Sequence, residues 1–494
     1  MGADHQIAFF LRESQAPDPE RRAAAVKGLG RTGGAGYASV LTEAARDPAP
    51  SVRAAAALAL GRLGTPEAGG EVLLPLMQDA YPRVRRRASV AAIRLGLQGP
   101  AVTQAFARLL SDPDHHLRIN ALDGLDALGV PGDVTTLVGL LGDPDCTVWG
   151  RARSLVQRFR DDAAVRAEVI RTARQGPGTA RVRALDLLPD RCTEQLLDSL
   201  LTGLSDPSPD VRKAVARRLF DVARPETRDA LAAALRTERD PEVAAYLLRR
   251  LGDLGDERVT GPAVRWLRDP EAGASAVSAL AEAAPATAAA HLREVMADRT
   301  VHPGPRAAAA TAVGAGGGWD AVWLLLPLLD DPEDEVRAGV IDGLGELVEN
   351  GLRLWERHPV AWALVARLAA GGQHTWRARN ALDGLTQALP AVRRLADGAA
   401  SGEVRAAALS LLDGDDETDE HVHDDVRRFL RGLDDPHEPV RYEAVLGLER
   451  WVAATGTLPP GSEEAHRRLT ALTTDASHRL RHAATSLLEA LDTD

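Results

Sequence analysis

The stretch that decides the fold runs from Asp47 to Gly64 and reads DPAPSVRAAAALALGRLG. Its apolar residues fall at i, i+3, i+4, i+7, i+8 and i+11, a spacing that places them on one face of an α-helix. The Asp-Pro pair before them suits a turn or a helix start, and Gly64 suits a helix end. The residues of this apolar stripe are Val52, Ala55, Ala56, Ala59, Leu60 and Leu63.

The same pattern recurs along the chain. A short apolar helix precedes each copy, as at residues 71–77, so each unit is predicted to be a helical hairpin. Such a hairpin cannot bury its stripe alone, and neighbouring units must stack. The predicted fold is all-α, an α-solenoid of about fifteen hairpins. Clear copies begin at Asp47, Asp112, Asp206, Asp331 and Asp435, weaker ones at Asp18, Asp79, Asp143, Asp240, Asp269, Asp397 and Asp475, and degenerate ones near Gly176, Asp298 and Gly371.

The composition fits this prediction. The 494 residues are 45% hydrophobic, yet they include only 8 Trp, 4 Tyr and 6 Phe. A core built from Ala, Leu and Val favours closely packed helices. The two cysteines, Cys146 and Cys192, cannot form a disulfide framework or a C-x-x-C site, and neither a signal peptide nor an apolar run of membrane length is recognisable. We therefore predict a cytoplasmic protein with no membrane segment.

The repeats resemble the HEAT repeat family, and their short length of about 33 residues is similar to that of bilin-lyase-type proteins. The resemblance rests on an Asp followed six residues later by an Arg, which matches the ladder that links neighbouring HEAT repeats. It implies a scaffold with second helices on a concave face. Trp149 occupies the ladder-arginine position of its unit, so irregular stacking is expected there. The ladder pairs are Asp47/Arg53, Asp112/Arg118, Asp206/Arg212, Asp331/Arg337, Asp435/Arg441 and Asp475/Arg481.

Charge is distributed unevenly. The whole chain has a formal net charge of −12, but residues 81–260 carry +3 and residues 261–494 carry −14. We predict a single array over residues 1–494, with a regular, mildly basic part (1–260) and an irregular, acidic part (261–494). Three predicted second helices in the basic part carry Arg or Lys without an intervening carboxylate. The candidate partner-binding residues in them are Arg86, Arg87, Arg151, Arg153, Lys213 and Arg217.

Two interpretations of these basic residues remain open. They could bind phosphates or an acidic protein surface. Alternatively, some belong to the ladder and others pair with nearby aspartates. In the acidic part, Asp342 and Asp383, like Asp123 earlier, are predicted to lie on the exposed helix face beside the apolar stripe.

Five of the eight tryptophans lie within 58 residues, where the repeats are longest and least regular. Tryptophan is enriched among interface anchors, so a binding groove is one interpretation. The other, which we favour, is that large side chains fill gaps left by irregular stacking. These candidate residues are Trp319, Trp323, Trp355, Trp362 and Trp376.

Three motifs suggest chemistry but have simpler explanations. The string Gly28–Gly33 matches a dinucleotide fingerprint, yet it closes a helix instead of opening one. The carboxylate-rich residues 413–425 lack the sharp-turn glycine of an EF-hand and are interpreted as a solvated loop. His478 and His482, at i and i+4, could share a metal but are interpreted as surface residues. We predict no catalytic residue, metal or cofactor.

The predicted function is a non-catalytic scaffold or adaptor that binds a protein or peptide along its concave face. The first alternative is a nucleic-acid-binding protein, with DNA glycosylases as HEAT-like examples. The negative net charge and the lack of aromatics interleaved with the arginines count against it. The second alternative, from the repeat type alone, is a bilin lyase-like enzyme, for which no nucleophile or general acid can be assigned.

Overall fold

The computed structural model describes residues 2–32, 35–64, 66–188, 194–222, 225–317, 320–412, 421–459 and 463–492. These residues form thirty α-helices in fifteen successive pairs, and no strand occurs among them. The chain divides into two compact units, residues 1–231 and 232–494. Each unit is an α-solenoid, and each is described by itself. That residues 1–494 form a single array stays a prediction.

Odd-numbered helices are the first helices of each pair, and even-numbered helices are the second. The helices of the first unit are α1 (Gly2–Glu13), α2 (Pro19–Thr32), α3 (Ala38–Ala44), α4 (Pro50–Leu63), α5 (Pro66–Leu76), α6 (Pro82–Arg94), α7 (Pro100–Leu109), α8 (His115–Leu128), α9 (Val134–Gly139), α10 (Cys146–Arg158), α11 (Ala163–Gln175), α12 (Gly178–Leu185), α13 (Glu194–Gly203) and α14 (Pro209–Val222). The boundary between the units falls within α15 (Pro225–Thr237).

The helices of the second unit are α16 (Pro241–Asp253), α17 (Thr260–Trp266), α18 (Gly273–Ala283), α19 (Pro285–Ala297), α20 (Pro303–Ala315), α21 (Ala321–Leu325), α22 (Asp334–Glu349), α23 (Leu354–Ala370), α24 (Thr375–Ala381), α25 (Leu389–Gly398), α26 (Gly402–Leu409), α27 (Val422–Gly432), α28 (Glu438–Thr455), α29 (Glu463–Leu472) and α30 (His478–Asp492). Every second helix begins one to five residues after one of the fifteen motif positions. The predicted fold class and number of hairpins are confirmed.

Local chemistry explains where the second helices start and stop. In the hairpin that contains residues 47–64, Asp47 accepts a hydrogen bond from the Ala49 amide at 2.8 Å, and Pro50 is the first residue of α4. Proline suits this position because the first amides of a helix have no intrahelical acceptor. Gly64 ends the helix with a φ of 72°, a left-handed conformation that glycine adopts without strain.

Successive second helices pack through very small side chains. A Cβ added to Gly61 of α4 would lie 2.7 Å from the Cβ of Ala91 in α6. Gly30 of α2 has the same relation to Ala59 of α4, and Gly28 packs against the Phe10 ring. Gly28 and Gly30 therefore serve helix packing, inside α2. This close approach explains how a core with few aromatics is filled.

Arg–Asp pairs link neighbouring second helices on one side of each unit. Arg53 donates from Nε and Nη2 to the Asp79 carboxylate, at 2.6 and 3.1 Å, and from Nη1 to the Asp47 carbonyl at 2.8 Å. The arginine thus joins its own turn to the aspartate of the next hairpin. The corresponding pairs are Arg22–Asp47, Arg53–Asp79, Arg85–Asp112, Arg118–Asp143 and Arg181–Asp206 in the first unit, and Arg306–Asp331, Arg405–Asp435 and Arg441–Asp475 in the second. We call this set the Arg–Asp ladder.

Ladder carboxylates such as Asp47, Asp79 and Asp435 have a pKa below the usual range. The hydrogen bond from Arg22 holds the pKa of Asp47 below its usual range, against the opposing effect of burial. A carboxyl with a lowered folded-state pKa stabilises the fold above its ordinary pKa, and this stabilisation is lost as the pH falls through the folded-state value.

The ladder changes in composition after Arg212. Arg212 of α14 is half-buried and donates from Nη1 to the Asp206 carbonyl at 2.8 Å. The Asp206 carboxylate pairs with Arg181 of the preceding hairpin. In the next hairpin the motif residue Asp240 accepts a hydrogen bond from the Val243 amide and caps α16.

In that hairpin a glutamate occupies the ladder position. Glu238 is buried, and its Oε1 accepts the Asp240 amide at 2.9 Å, as a ladder aspartate accepts the amide two residues after it. The glutamate therefore takes the place that an aspartate has in the other hairpins of the ladder. The reason is that Asp240 lies directly before its helix, whereas a ladder carboxylate such as Asp47 lies three residues before the helix start.

The ladder changes at two further places. Trp149 stands where an arginine is expected and Gly176 where the next aspartate is expected, and there the Arg183 guanidinium lies 4.1 Å from the centre of the Trp149 ring. In the second unit, Arg337 keeps its bond to the Asp331 carbonyl at 2.7 Å, but its Nη2 pairs with Asp334 of its own helix. Both sites fall at the degenerate motif copies near Gly176 and Gly371.

We expect Asp79→Ala to lower the free energy of unfolding of the first unit by about 2–4 kcal/mol, because it leaves the half-buried Arg53 without its carboxylate. Chemical denaturation followed by circular dichroism measures this change. Arg171→Ala is the matched control, since it breaks the exposed Arg171–Glu168 pair of α11 and should change stability by less than about 0.5 kcal/mol. Equal effects of the two variants would show that the ladder is only a surface feature.

Candidate protein-binding surfaces

The exposed side of the second helices carries another row of ion pairs. Asp123 of α8 pairs with Arg151 of α10, and Asp186 next to α12 pairs with Arg217 of α14. Asp342 of α22 pairs in the same way with Arg377 of α24. Each arginine therefore reaches back to an aspartate of the preceding second helix. The sequence pattern predicts that Asp123 and Asp342 lie on this face, but it does not predict their partners, which are 28 and 35 residues away.

These pairs help to decide between the two interpretations of the six basic candidate residues. Arg86 pairs with Asp114 at 2.6 Å, and Arg151 and Arg217 are engaged as described above. Lys213 is half-buried. Arg87 and Arg153 are exposed. Pairing with aspartates thus accounts for three of the six candidate residues, and their combined positive charge is partly neutralised within the fold.

A basic groove lies between α6 and α8. It has a volume of about 720 Å³ and is lined by Arg83, Arg86, Arg87, His116 and Asn120, among others. The Asn120 side-chain amide donates to the Ser89 hydroxyl at 2.9 Å, which joins the two helices at the groove. The groove can bind carboxylates or phosphates through its exposed guanidinium groups.

An acidic groove lies between α22 and α24 in the second unit. It has a volume of about 480 Å³, and its lining includes Asp342, Glu346, Glu349, Trp376 and Asn380. Asn120 and Asn380 both belong to the repeated sequence NALDGL, so the same segment lines both grooves. The two grooves have similar construction but opposite charge.

The candidate tryptophans are surface residues wherever the structure describes them. The exposed fraction is 51% for Trp323, 65% for Trp355, 59% for Trp362 and 39% for Trp376. The favoured interpretation that they fill gaps in the core is wrong for these four. The physical reason is that Ala, Gly and Leu side chains already fill the contacts between helices, as in the Gly314–Gly343 contact of α20 and α22. Trp319 lies outside the described residues.

Trp355 and Trp362 form an exposed stripe on α23. They are seven residues apart, two helical turns, so they share one face, together with the exposed His358. Leu354, at the start of the helix, is 78% exposed, and the Arg353 guanidinium lies 5.5 Å from the centre of the Trp355 ring. This face exposes two indole rings and belongs to a first helix, whereas the acidic groove lies between two second helices.

The other chemical motifs contribute little in the structure. Cys146 is exposed, whereas Cys192, Gly33 and residues 413–420 of the carboxylate-rich segment lie outside the described residues. Across the described ranges, no group of three or more His, Cys, Asp or Glu side chains is arranged to hold a metal ion. Among the described helices, none is both long and apolar enough to cross a membrane.

Part of the chain matches a known repeat family. Residues 7–94, 70–155 and 172–245 match the family model of HEAT repeats. Residues 7–155 and 172–245 are therefore HEAT repeats. A search of curated protein sequences finds no match.

Solved structures with a similar fold include importin beta and Kap95p. Importin beta superposes with a TM-score of 0.60 and 13% sequence identity, over 99% of this chain and 79% of that one. Kap95p in its complex with RanGDP gives a TM-score of 0.53 and 11% identity, over 98% of this chain and 71% of the other. At such low identity the likeness concerns the fold alone.

The exposed positions of the tryptophans lead to a direct prediction. Trp355→Ala and Trp362→Ala should each change the free energy of unfolding by less than about 0.5 kcal/mol, because neither side chain is buried. Trp451→Ala in α28 should lower it by about 3–5 kcal/mol, since Trp451 is only 6% exposed. Denaturation monitored by circular dichroism compares the three variants. A large loss in Trp355→Ala would restore the core interpretation.

Proposed function

We propose that this protein is a non-catalytic cytoplasmic scaffold that binds a protein partner. The observation that carries the proposal is the exposure of Trp323, Trp355, Trp362 and Trp376 in the second unit. Large aromatic side chains that remain in water are costly, and contiguous apolar patches on soluble proteins mark interaction sites. Tryptophan also anchors interfaces with little loss of side-chain entropy.

The two grooves support a polypeptide partner. Arg83 and Arg87 line a basic groove in the first unit, whereas Glu346 and Glu349 line an acidic one in the second. A protein can present acidic and basic segments to the two grooves, but a nucleic acid presents only negative charge. Kap95p, whose fold is similar, is seen with RanGDP as its protein partner. This is an analogy of fold, and it is compatible with the proposal.

Affinity capture from the native cell tests the scaffold function. The tagged full chain is compared with Trp355→Ala/Trp362→Ala and with Arg83→Glu/Arg87→Glu, and captured proteins are quantified by mass spectrometry. We expect at least one partner to be reduced about tenfold or more in one of the two variants.

The control for charge is Arg166→Glu/Arg174→Glu in α11, which changes the net charge of the first unit by the same amount at exposed positions outside the groove. Its captured proteins should match those of the unmodified chain. The scaffold function is rejected if no protein is captured above background, or if turnover of a substrate is found in the purified chain alone.

Nucleic-acid binding is the second candidate function, and the basic groove between α6 and α8 favours it. The Arg86–Asp114 pair reduces the charge available to phosphates. We expect a DNA mobility shift to show only weak binding, with a shallow dependence of log K on log salt, because few phosphates can be neutralised. Tight binding with a steep slope, abolished by Arg83→Glu/Arg87→Glu, would favour this candidate over the protein scaffold.

A further inference from the structure

We propose that α23 is a self-association site, at which two copies of the chain pair through antiparallel α23 helices centred on Trp362. This inference rests on the proposed role of the exposed tryptophans as a protein-binding surface. It names the partner at α23 as a second copy of this chain.

The outward face of α23 lacks the charge that a solvent-exposed helix face normally carries. The structure describes all 17 residues of α23, and none of the exposed ones is Arg, Lys, Asp or Glu. In a chain of which 26% is charged, such a face is unusual. A helix that is apolar on its buried face and uncharged on its exposed face is typical of a helix covered on both sides. The exposed residues are Leu354, Trp355, His358, Trp362, Ala366, Ala369 and Ala370.

The charged side chains of α23 serve the fold itself. Glu356 is buried and accepts a hydrogen bond from the Arg353 amide at 3.0 Å, which caps the start of the helix. Arg367 pairs with Asp330 at 2.9 Å, and Arg357 is half-buried. Both helix arginines lie five residues from the middle of the exposed face, which places them about 140° around the helix from it. The exposed face therefore receives no charge from them.

The spacing of the exposed residues is symmetric about Trp362. Trp355 and His358 lie seven and four residues before it, and Ala366 and Ala369 lie four and seven residues after it. In an antiparallel pair centred on Trp362, Trp355 meets Ala369 of the second copy, and His358 meets Ala366 of the second copy. Each large side chain thus faces a small one at both ends of the contact. This is the self-complementarity that a two-fold interface requires.

The same residues disfavour a parallel pair. Parallel helices would place Trp355 against Trp355 of the second copy and Ala369 against Ala369 of the second copy. One end would then be overfilled and the other left with a gap, and both defects are destabilising. The dipoles of the two helices also oppose each other favourably only in the antiparallel arrangement.

The area of the face fits a weak dimer. An aromatic side chain covers about 150–250 Å², so two indoles that are 65% and 59% exposed present about 300 Å² on each copy. The other exposed side chains of the face raise this to about 500 Å², or about 1,000 Å² for the pair, which lies at the low end of specific interfaces. We therefore expect a dissociation constant on the order of 10 μM.

The charge of the surrounding chain makes the contact dependent on salt. Residues 261–494 carry a net charge of −14, so two copies repel each other over most of this part of the surface. The uncharged face of α23 is where they can approach at the lowest electrostatic cost. Added salt screens the remaining repulsion, and we expect it to strengthen the dimer.

Sedimentation velocity of the full chain, from about 1 to about 200 μM, measures the association. We expect reversible dimers for the unmodified chain, at least tenfold weaker association for Trp362→Ala, and a monomer at every concentration for Trp355→Ala/Trp362→Ala. Because these side chains are exposed, circular dichroism should show the variants folded. A chain that stays monomeric throughout, or dimers that the double variant retains, would overturn the proposal.

The matched control is Trp376→Ala, which removes an exposed indole of the same unit outside α23. Its dissociation constant should stay within about twofold of that of the unmodified chain. An equal loss of association in this control would mean non-specific attraction between exposed indoles, and the α23 site would be rejected.

A size exchange tests the antiparallel register. Ala369→Trp alone places two large rings where a large one faced a small one, and we expect it to weaken the dimer about tenfold. Trp355→Ala/Ala369→Trp exchanges the sizes at both ends and should restore association to within about threefold of the unmodified chain. If the exchange variant stays as weak as Ala369→Trp, the pairing centred on Trp362 is wrong.

The outcomes also separate this inference from the scaffold function. If the purified chain is monomeric but Trp355→Ala/Trp362→Ala loses a cellular partner, the face binds a different protein, so self-association is wrong and the scaffold function stands. If the chain dimerises through α23 but captures no other protein from cells, self-association stands and the scaffold function fails.

Discussion

The hydrogen bonds of the Arg–Asp ladder set the spacing on which the rest of each unit depends. A ladder arginine such as Arg85 bonds the Asp112 carboxylate with Nε and Nη2, and its own turn's Asp79 carbonyl with Nη1. The aspartate in turn accepts an amide hydrogen of its own turn, here that of Asp114. One contact thus shapes two successive turns and fixes the distance between two second helices. At this distance only Ala- and Gly-sized side chains fit between them.

Where the ladder is interrupted, other contacts hold neighbouring hairpins together, and the surface becomes irregular. Trp149 and Arg183 replace an ion pair by a cation–π contact. Near Gly371, the link between α22 and α24 passes through Asp334, whose carboxylate lies beside Arg337 and His374. The hydrogen bond from His374 holds the pKa of Asp334 below its usual range. Further along, the same two helices are joined by the Asp342–Arg377 pair and by the close approach of Gly345 to Ala381.

The hairpins could be predicted because their signals are local. An apolar stripe such as Val52 to Leu63 and an Asp-Pro start require only the order of neighbouring residues. The exposure of Trp355 and Trp362 could not be predicted in this way, since it depends on how closely other helices already pack. The partners of Arg151 and Arg217 lie about one repeat earlier in sequence. The acidic groove arises from a difference in helix length, and predicted helix ends are too imprecise to reveal it.

The ladder also explains why the net charge of −12 says little about what the chain binds. Ladder charges such as Arg306 and Asp331 are 1% and 2% exposed, so they act inside the fold. A second set, including Asp123 and Arg151, is paired along the outer side of the second helices and partly cancels. Recognition then depends on the few charged groups beyond both sets. In the second unit these include Glu346 and Glu349, which line the groove between α22 and α24.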